Sequence, residues 1–211
     1  MNRRSILGRT FGLTAWGLVA ATAAQAQRFS LSPSVGLYIP TQQIIQQVAA
    51  GGSTAELQKQ ELGLTVGGRM ALWFGDRVGL EGTGAYAPSK LRRTLAGTQT
   101  TTDANIFTGS GRLTVNVLPP RSPLVLAVSG GLAVVNRSGT AYANVTPKTD
   151  YGFSGGLSFG VRLGGLFSFV VSADDFLYKP QFTVTGLPAP PTQHDINLSF
   201  GLGLLGLGAG K

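Results

Sequence analysis

The sequence has no cysteine, few charged residues and no long apolar run beyond its first 26 positions. The absence of cysteine excludes disulfide bonds and thiolate metal sites. Charged residues make up 12% of the chain. After residue 27, no segment approaches the ~18 consecutive apolar residues that a transmembrane helix needs. The length of 211 residues suits one domain. If that domain lies in a membrane, it must cross the membrane with β-strands.

What the sequence does contain is a regular alternation of large apolar residues with small or polar ones. The clearest case is segment 157–171. The apolar residues that share one strand face there are Leu157, Phe159, Val161, Phe167, Phe169 and Val171. The opposite face carries serine, glycine and Arg162, which would make a poor protein core. The apolar face therefore needs an apolar partner, and a lipid bilayer around a closed barrel provides one.

The same alternation recurs in eight segments of roughly membrane-spanning length. These segments are 29–40, 61–74, 77–88, 104–118, 124–136, 151–163, 166–178 and 195–207. The connections alternate between long loops, at 41–59, 89–103, 137–148 and 180–193, and short turns. A short amphipathic helix is an alternative for part of 41–59, but a loop is preferred. We predict an all-β fold, an eight-stranded antiparallel transmembrane barrel with up-and-down meander topology.

This pattern resembles the eight-stranded outer-membrane barrels of the OmpA, OmpX, OmpW and opacity-protein kind. The resemblance covers 27–207 and includes the segments FSLSPSVGLY at 29–38 and HDINLSFG at 194–201. It implies a role in envelope integrity, adhesion or surface interaction, with no catalysis and no cofactor. It also implies a monomer in the bacterial outer membrane, assembled by periplasmic chaperones and the barrel-assembly machinery. One departure is the C-terminus, LLGLGAGK, because such barrels usually end on an aromatic residue.

The first 26 residues have the parts of a secretory signal. Three arginines form a basic start, residues 11–21 are apolar, and Ala24-Gln25-Ala26 has the small residues of a cleavage site. A twin-arginine signal is a second reading, ranked lower because an outer-membrane barrel must cross the inner membrane unfolded. We expect a signal peptide over 1–26, cleaved near Ala26, and a barrel domain over 27–211.

The parity of the alternation places a group of charged residues inside the barrel. This predicted lumen cluster comprises Arg69, Glu81, Arg112, Arg162 and Asp174. An eight-stranded barrel is just wide enough for side chains. Charges in such an interior must be paired or hydrated, because an isolated buried charge is costly. We therefore predict a polar plug in preference to a gated ion path.

The tight hairpin at Gly75-Asp76, between segments 61–74 and 77–88, allows a sharper prediction about this cluster. Two inward residues that stand opposite each other must have numbers with an even sum. We predict a three-residue connection over 74–76 with a left-handed residue at 75 or 76. Trp73 would then face Arg77, and Arg69 would stand directly across from Glu81.

The sequence offers little for catalysis. Lipid A deacylases on this fold use a histidine and serine in H-x-S spacing, but Ile196 stands two residues after His194, the only histidine. Asp195 could orient that histidine, yet no nucleophile is in place, and His194 is expected in an exposed loop. Asp174 and Asp175 are neighbours on a strand and should point to opposite faces. No catalytic, cofactor-binding or metal-binding residue is predicted.

The external loops and strand ends carry a small excess of basic residues. Within them, the KLRR segment 90–93 is the only local cluster of basic residues without an acidic partner in the sequence. Lys90, Arg92 and Arg93 are therefore candidates for contact with lipopolysaccharide phosphates, with a solvated loop as the alternative. No basic stripe with interleaved aromatics exists, so nucleic acid is not an expected partner.

Three other functions remain as alternatives. An OmpW-like transporter of small hydrophobic molecules would need an apolar lumen, whereas the predicted lumen is polar and charged. A lipid A-modifying enzyme would need the missing H-x-S. A soluble lipocalin-like barrel would turn its bulky residues inward. The favoured function is a non-enzymatic outer-membrane barrel in contact with outer-membrane lipids and lipopolysaccharide.

Overall fold

A computed structural model describes residues 27–48, 54–95, 97–119, 122–163, 167–181 and 190–205. The predicted signal segment, the Gly164-Gly165 turn and the non-aromatic C-terminus lie outside these residues. The strands of the described chain are β1 (Gln27–Pro40), β2 (Ile45–Val48), β3 (Thr54–Gln60), β4 (Gly63–Phe74), β5 (Val78–Ala87), β6 (Lys90–Leu95), β7 (Thr98–Asp103), β8 (Asn105–Asn116), β9 (Leu124–Ser138), β10 (Thr149–Arg162), β11 (Phe167–Tyr178) and β12 (Gln193–Leu205). A single turn of 3-10 helix, Thr140–Tyr142, precedes β10. No helix in the described part of the chain is long and apolar enough to cross a membrane.

Eight of these strands form a closed antiparallel barrel. Their order is β1-β12-β11-β10-β9-β8-β5-β4, and β1 pairs with both β4 and β12, which closes the sheet. The strands therefore follow one another around the barrel as a meander. The predicted eight-stranded barrel is confirmed, and each barrel strand overlaps the segment predicted for it.

The barrel wall is apolar outside and polar inside, the reverse of a soluble protein. Leu157, Phe159, Phe167 and Phe169 are exposed on the outer wall, as the alternation predicted. Val161 and Val171 share that face and are half-buried. The alternate residues of the same hairpin, such as Ser158, Ser168 and Ser172, are buried in the lumen. An apolar exterior of this kind is stable when lipid surrounds it.

The β4–β5 hairpin differs from the predicted register by two residues. Its connection has three residues, but these are Gly75, Asp76 and Arg77, because Phe74 pairs with Val78. Gly75 has a φ of 72°, in the left-handed region that the prediction required. A shift of two residues leaves every side chain on its predicted face, which is why parity could not distinguish the two registers.

This shift makes two predicted pairings wrong. Arg69 stands opposite Thr83, while Glu81 stands opposite Ala71, so the two charged residues are diagonal neighbours. The predicted pairing of Trp73 with Arg77 is also wrong, because Gly79 lies opposite Trp73. The indole Nε1 of Trp73 instead donates to the hydroxyl of Ser30 on β1, at 3.2 Å.

A second sheet lies beyond the barrel's end that carries the long connections, and we call it the outer sheet. It has four strands in the order β2-β3-β6-β7. The prediction of loops at 41–59 and 89–103, and the helical alternative, are therefore wrong. β3 leads into β4 and β6 follows β5, so the outer sheet extends the β4–β5 hairpin past the barrel. Its strands β6 and β7 are short and carry polar residues on both faces, so they lack the alternation that revealed the barrel strands.

Candidate functional site

Four charged side chains meet in the middle of the barrel lumen, and we call them the lumen network. Arg112 on β8 is 2% exposed and lies at its centre. Its Nε and Nη2 donate to Glu81 Oε1 on β5, at 3.1 and 2.8 Å. Its Nη1 donates to Asp174 Oδ1 on β11, at 2.7 Å. One buried arginine thus binds both carboxylates at once.

Arg69 on β4 closes the network from the other side. Its Nη1 lies 3.2 Å from Glu81 Oε2, and its Nη2 lies 2.9 Å from Asp174 Oδ2. Ser158 on β10 accepts a further hydrogen bond from Arg69. Two arginines and two carboxylates therefore alternate in a ring with no net charge, which ties five strands together. Charges in a low-dielectric interior are tolerated when they are paired and hydrogen-bonded in this way.

Gly156 on β10 makes room for this ring. A Cβ atom at that position would lie 2.5 Å from Asp174 Oδ1 and 2.6 Å from Arg112 Nη1. Contacts this short are repulsive, so a larger residue would displace the ion pair. The glycine is therefore required by the close approach of the lumen network to the β10 backbone.

The fifth predicted member of the lumen cluster, Arg162, lies apart from the network. It is at the end of β10 near the short turns, where its Nη1 donates to the carbonyl oxygen of Ser122 at 3.2 Å. The structure thus brings together four of the five charged residues predicted to share the lumen. The network lies farther from this end of the barrel than Arg162 does.

A second buried polar group closes the lumen at the outer end of the barrel, and the alternation pattern did not predict it. The hydroxyls of Tyr38 and Tyr178 both donate to Asp195 Oδ2, at 2.6 and 2.5 Å. Phe176 and Tyr142 are packed beside them and are each 2% exposed. These side chains block the outer opening, and we call them and the Arg137 ion pair below the outer plug.

Arg137 and Asp150 complete the outer plug with a buried ion pair. The Arg137 guanidinium lies 5.1 Å from the centre of the Tyr178 ring and 6.0 Å from that of Tyr142. The predicted loop 137–148 included Arg137, but the structure extends β9 to Ser138, and the alternation of buried residues continues through Val135 to Arg137.

Tyr142 fastens the 3-10 turn to the outer sheet. Its hydroxyl donates to Gln60 Oε1 at 2.8 Å, and Gln60 Nε2 donates to the carbonyl oxygen of Ala104 at 2.7 Å. Burial raises the pKa of Tyr142, against the opposing charge of Arg137, so this hydroxyl stays protonated. The loop between β9 and β10 is therefore anchored over the barrel mouth.

A small polar cavity of about 30 Å³ remains between the lumen network and the outer plug. Serine and threonine side chains line much of it, together with Arg69, Asp174 and Asn197. The amide Nδ2 of Asn197 donates to Thr108 Oγ1 at 2.7 Å. A volume of this size holds roughly two water molecules. This cavity therefore has space for bound water.

The basic residues of segment 90–93 lie on β6 of the outer sheet, where the register separates them. Arg92 pairs with Glu61 at 2.5 Å, and Arg93 pairs with Glu56 at 2.7 Å. The prediction that this segment lacks acidic partners is therefore wrong, because β3 runs beside β6 and the chain just after it brings Glu61 close. Lys90 and Arg92 lie on one face of β6 and Arg93 on the other.

Glu56 on β3 is 6% exposed, although it lies in the outer sheet beyond the end of the barrel. Burial raises the pKa of Glu56, but hydrogen bonds from Gln58 and Arg93 outweigh this effect and hold the pKa below its usual range. Glu56 is therefore ionised at neutral pH and attaches β3 to β6.

His194 lies on β12, on the outer wall of the barrel, and not in the predicted loop. Its Nδ1 is 3.1 Å from Asp175 Oδ2, and both side chains are nearly half exposed. Asp174 points into the lumen and Asp175 away from it, as predicted from their adjacent positions. Asp195 faces the outer plug and not His194. In the described part of the chain, no group of three metal-ligating side chains occurs.

Comparison with known proteins identifies the fold. No protein-family model matches the sequence, and no curated protein does. The outer membrane protein OprG from Pseudomonas aeruginosa is 12% identical with a TM-score of 0.64, over 87% of this chain and 99% of that one. The outer membrane protein AlkL, determined in DMPC lipid bilayers, is 13% identical with a TM-score of 0.61, over 90% of this chain and 95% of that one. The chain has the eight-stranded barrel fold of these outer-membrane proteins.

Proposed function

We propose that this protein is an integral barrel of the bacterial outer membrane that acts as a closed scaffold and interacts with its surroundings through the outer sheet. The observation that carries the proposal is the lumen network, which fills the barrel with paired charges. A second closure, the outer plug, lies between it and the external end. The small polar cavity lies between these two layers.

The location in the outer membrane rests on the outer wall and on the fold. The wall is apolar around the barrel, as in segment 157–171, and the fold is that of proteins described as outer-membrane proteins. Export, assembly by periplasmic chaperones and the barrel-assembly machinery, and a monomeric state belong to the same proposal. So does contact with outer-membrane lipids and lipopolysaccharide.

The absence of catalysis is part of the proposal. The buried charges of the lumen network and the outer plug have ion-pair or hydrogen-bond partners, and Asp174, which lines the small polar cavity, is bound by both Arg69 and Arg112. The exposed pair of His194 and Asp175 lies on the outer wall, and Ile196 occupies the position at which an H-x-S motif has its nucleophile. The surface role is assigned to the outer sheet because it is the largest described element outside the barrel.

Two measurements test the closed scaffold. Outer-membrane fractionation with heat-modifiable gel migration should show a folded barrel in the outer membrane. Planar-bilayer recordings of the purified protein should show no conductance steps, while a large general porin inserted under the same conditions conducts. Stepwise conductance of the wild-type protein would contradict a closed lumen.

A second candidate function, passage of small hydrophobic molecules, is favoured by one observation. The outer end of the barrel contains a buried apolar cluster that includes Ile44, Leu91, Ile106 and Val135. Such a cluster could accept an apolar solute if the outer plug opened. Proteoliposomes would then take up a small apolar dye faster than empty liposomes, and Ile106→Asp would abolish the gain. Equal uptake with and without the protein would exclude this candidate.

A further inference from the structure

The outward face of the outer sheet continues the alternation of the barrel's outer wall across Pro88 and Ser89, the two residues between β5 and β6. From β5 into β6, exposed and buried residues alternate through Tyr86, Ala87, Pro88, Ser89 and on to β6. Tyr86 belongs to the apolar wall, so the exposed residues of β6 with even numbers stand on the same side of the molecule. At ~3.3 Å per residue, Lys90 lies on the order of 13 Å farther out along the strand than Tyr86.

Three cations occupy this outward face, and we call them the cation row. Lys90 and Arg92 are exposed neighbours on one face of β6, and Lys59 on β3 is the register partner of Arg92. Two like charges directly opposite each other on neighbouring strands are destabilising unless an anion lies between them. The register therefore creates a place where an anion lowers the free energy of the sheet.

The acidic residues near the cation row compensate it incompletely. Glu61 pairs with Arg92, and Asp103 is the register partner of Lys90 but forms no ion pair with it within 4.0 Å. All nine acidic side chains of the chain lie in its described part, and none pairs with Lys59 or Lys90. Thr101, the register partner of Arg92, adds an exposed hydroxyl beside the row.

The position of the row distinguishes lipid from other anions. Directly below it, Leu62 is 59% exposed and Tyr86 and Phe107 are 43% exposed on the outer wall. Aromatic residues at this level are typical of the boundary between hydrocarbon and headgroups in outer-membrane barrels. A lipid with acyl chains against this wall would place its phosphate beside the cation row. A soluble anion would make no contact with the wall.

We infer that Lys59, Lys90 and Arg92 bind the phosphate groups of lipid headgroups in the outer leaflet, an inference that rests on the proposed outer-membrane location. The site replaces the sequence-predicted set, because Arg93 faces the other side of β6 and Lys59 takes its place. Arginine offers a two-pronged donor to phosphate oxygens, and the lysines add point charges on either side of it.

The test is a titration of the folded protein in neutral detergent micelles with diphosphoryl lipid A, followed by calorimetry. The variant Lys59→Gln with Lys90→Gln removes the two cations that have no ion pair. Basic residues near an anionic surface contribute ~1 kcal/mol each, so the dissociation constant should rise about thirtyfold. Binding by the wild type should weaken with salt more steeply than binding by this variant.

Two control variants show whether position matters and not charge alone. Arg28→Gln with Arg77→Gln removes two exposed cations from the opposite end of the barrel, and Arg93→Gln removes one from the other face of β6. Both should bind diphosphoryl lipid A as tightly as the wild type. Equal weakening in the first control would show a general charge effect and overturn the site.

Further probes distinguish the source of the phosphate. Lipid A without phosphates should bind at least tenfold more weakly to the wild type, and inorganic pyrophosphate and a polyglutamate peptide should not compete. Competition by either would overturn a lipid site in favour of a soluble anion or an acidic protein. Unchanged binding of lipid A by the double variant would also overturn it.

A failure of this site is separable from a failure of the proposed function. The double variant should keep its heat-modifiable migration and its lack of conductance, because neither lysine touches the lumen. A wild type that folds as a closed barrel but binds phosphorylated and dephosphorylated lipid A equally would contradict the lipid site alone.

Discussion

The lumen network and the outer sheet use the same residue types, arginine and carboxylates, in opposite surroundings. In the lumen, Arg112 is fully buried and binds two carboxylates. In the outer sheet, Arg92 and Arg93 are about half exposed and bind one carboxylate each. Water and salt screen the exposed pairs, whereas loss of one buried partner leaves a charge with no solvent. An arginine–carboxylate pair therefore stabilises the fold inside the barrel, whereas in the outer sheet the arginine can exchange its carboxylate for another anion.

The largest expected difference comes from removing one arginine in each region. Arg112→Ser leaves Glu81 and Asp174 partly uncompensated, so we expect a loss of ~3–5 kcal/mol in the free energy of unfolding. Arg92→Ser, at an exposed pair, should cost ~0.2–1 kcal/mol. Urea unfolding in detergent micelles measures both. Similar losses in the two variants would show that burial does not separate the two regions.

The outward faces of the two regions can be compared by adding a charge to each. Phe169→Arg places a cation on the apolar wall and should cost ~2–4 kcal/mol in a bilayer. Thr101→Arg has the same outward orientation but lies in the outer sheet, and it should change stability by less than ~0.5 kcal/mol. Folding yields into lipid vesicles report the difference. Equal folding of Phe169→Arg and the wild type would contradict the assignment of a lipid-facing wall.

A glycine pair sharpens the comparison within the barrel. Gly156→Ala would insert a Cβ into the lumen network, so we expect a loss of ~1–3 kcal/mol. Gly111→Ala is the control, because a Cβ there meets no atom within 4 Å. The urea midpoint of the control should stay close to that of the wild type. If Gly156→Ala leaves the urea midpoint unchanged, the side chains of the lumen network can be displaced without loss of stability.

The smallest expected effect is a pH dependence in the outer sheet. Because Arg93 and Gln58 hold the pKa of Glu56 below its usual value, the stabilisation is present above ~pH 4.3, where the unfolded carboxylate is also ionised. It is lost as the pH falls through the lower pKa of the folded state. The protection factors of β3 and β6 amides against hydrogen exchange, which are corrected for the intrinsic pH dependence of exchange, should therefore fall at acid pH. In Glu56→Gln that part of the acid dependence should be absent.

The barrel itself was predictable because lipid and lumen impose a period of two on every strand. Leu157 and Phe169 faced outward, and Arg69, Glu81 and Asp174 faced inward, as their parity required. The contact between Arg69 and Glu81 was predicted correctly, but the predicted register, with the two residues directly opposite each other, was wrong by two residues. The sequence carries no sharper signal there, since both registers bury the same side chains.

The outer sheet and the outer plug could not be predicted in the same way. β6 and β7 are rich in threonine and arginine on both faces, so no alternation distinguishes them from a loop. Arg137 lies on β9 and Tyr178 on β11, and only the pairing of both strands with β10 brings the two side chains together. Pairing between residues so distant in sequence depends on the path of the whole chain.

The amino-acid sequence alone determined the number of barrel strands, the face of each side chain and the polar character of the lumen. These properties follow from local alternation, which each strand carries independently of the others. Only the tertiary structure decided which charges meet, where the cation row stands and what closes the outer end. Those properties depend on strand register and on barrel closure, which place residues from different strands at the same height.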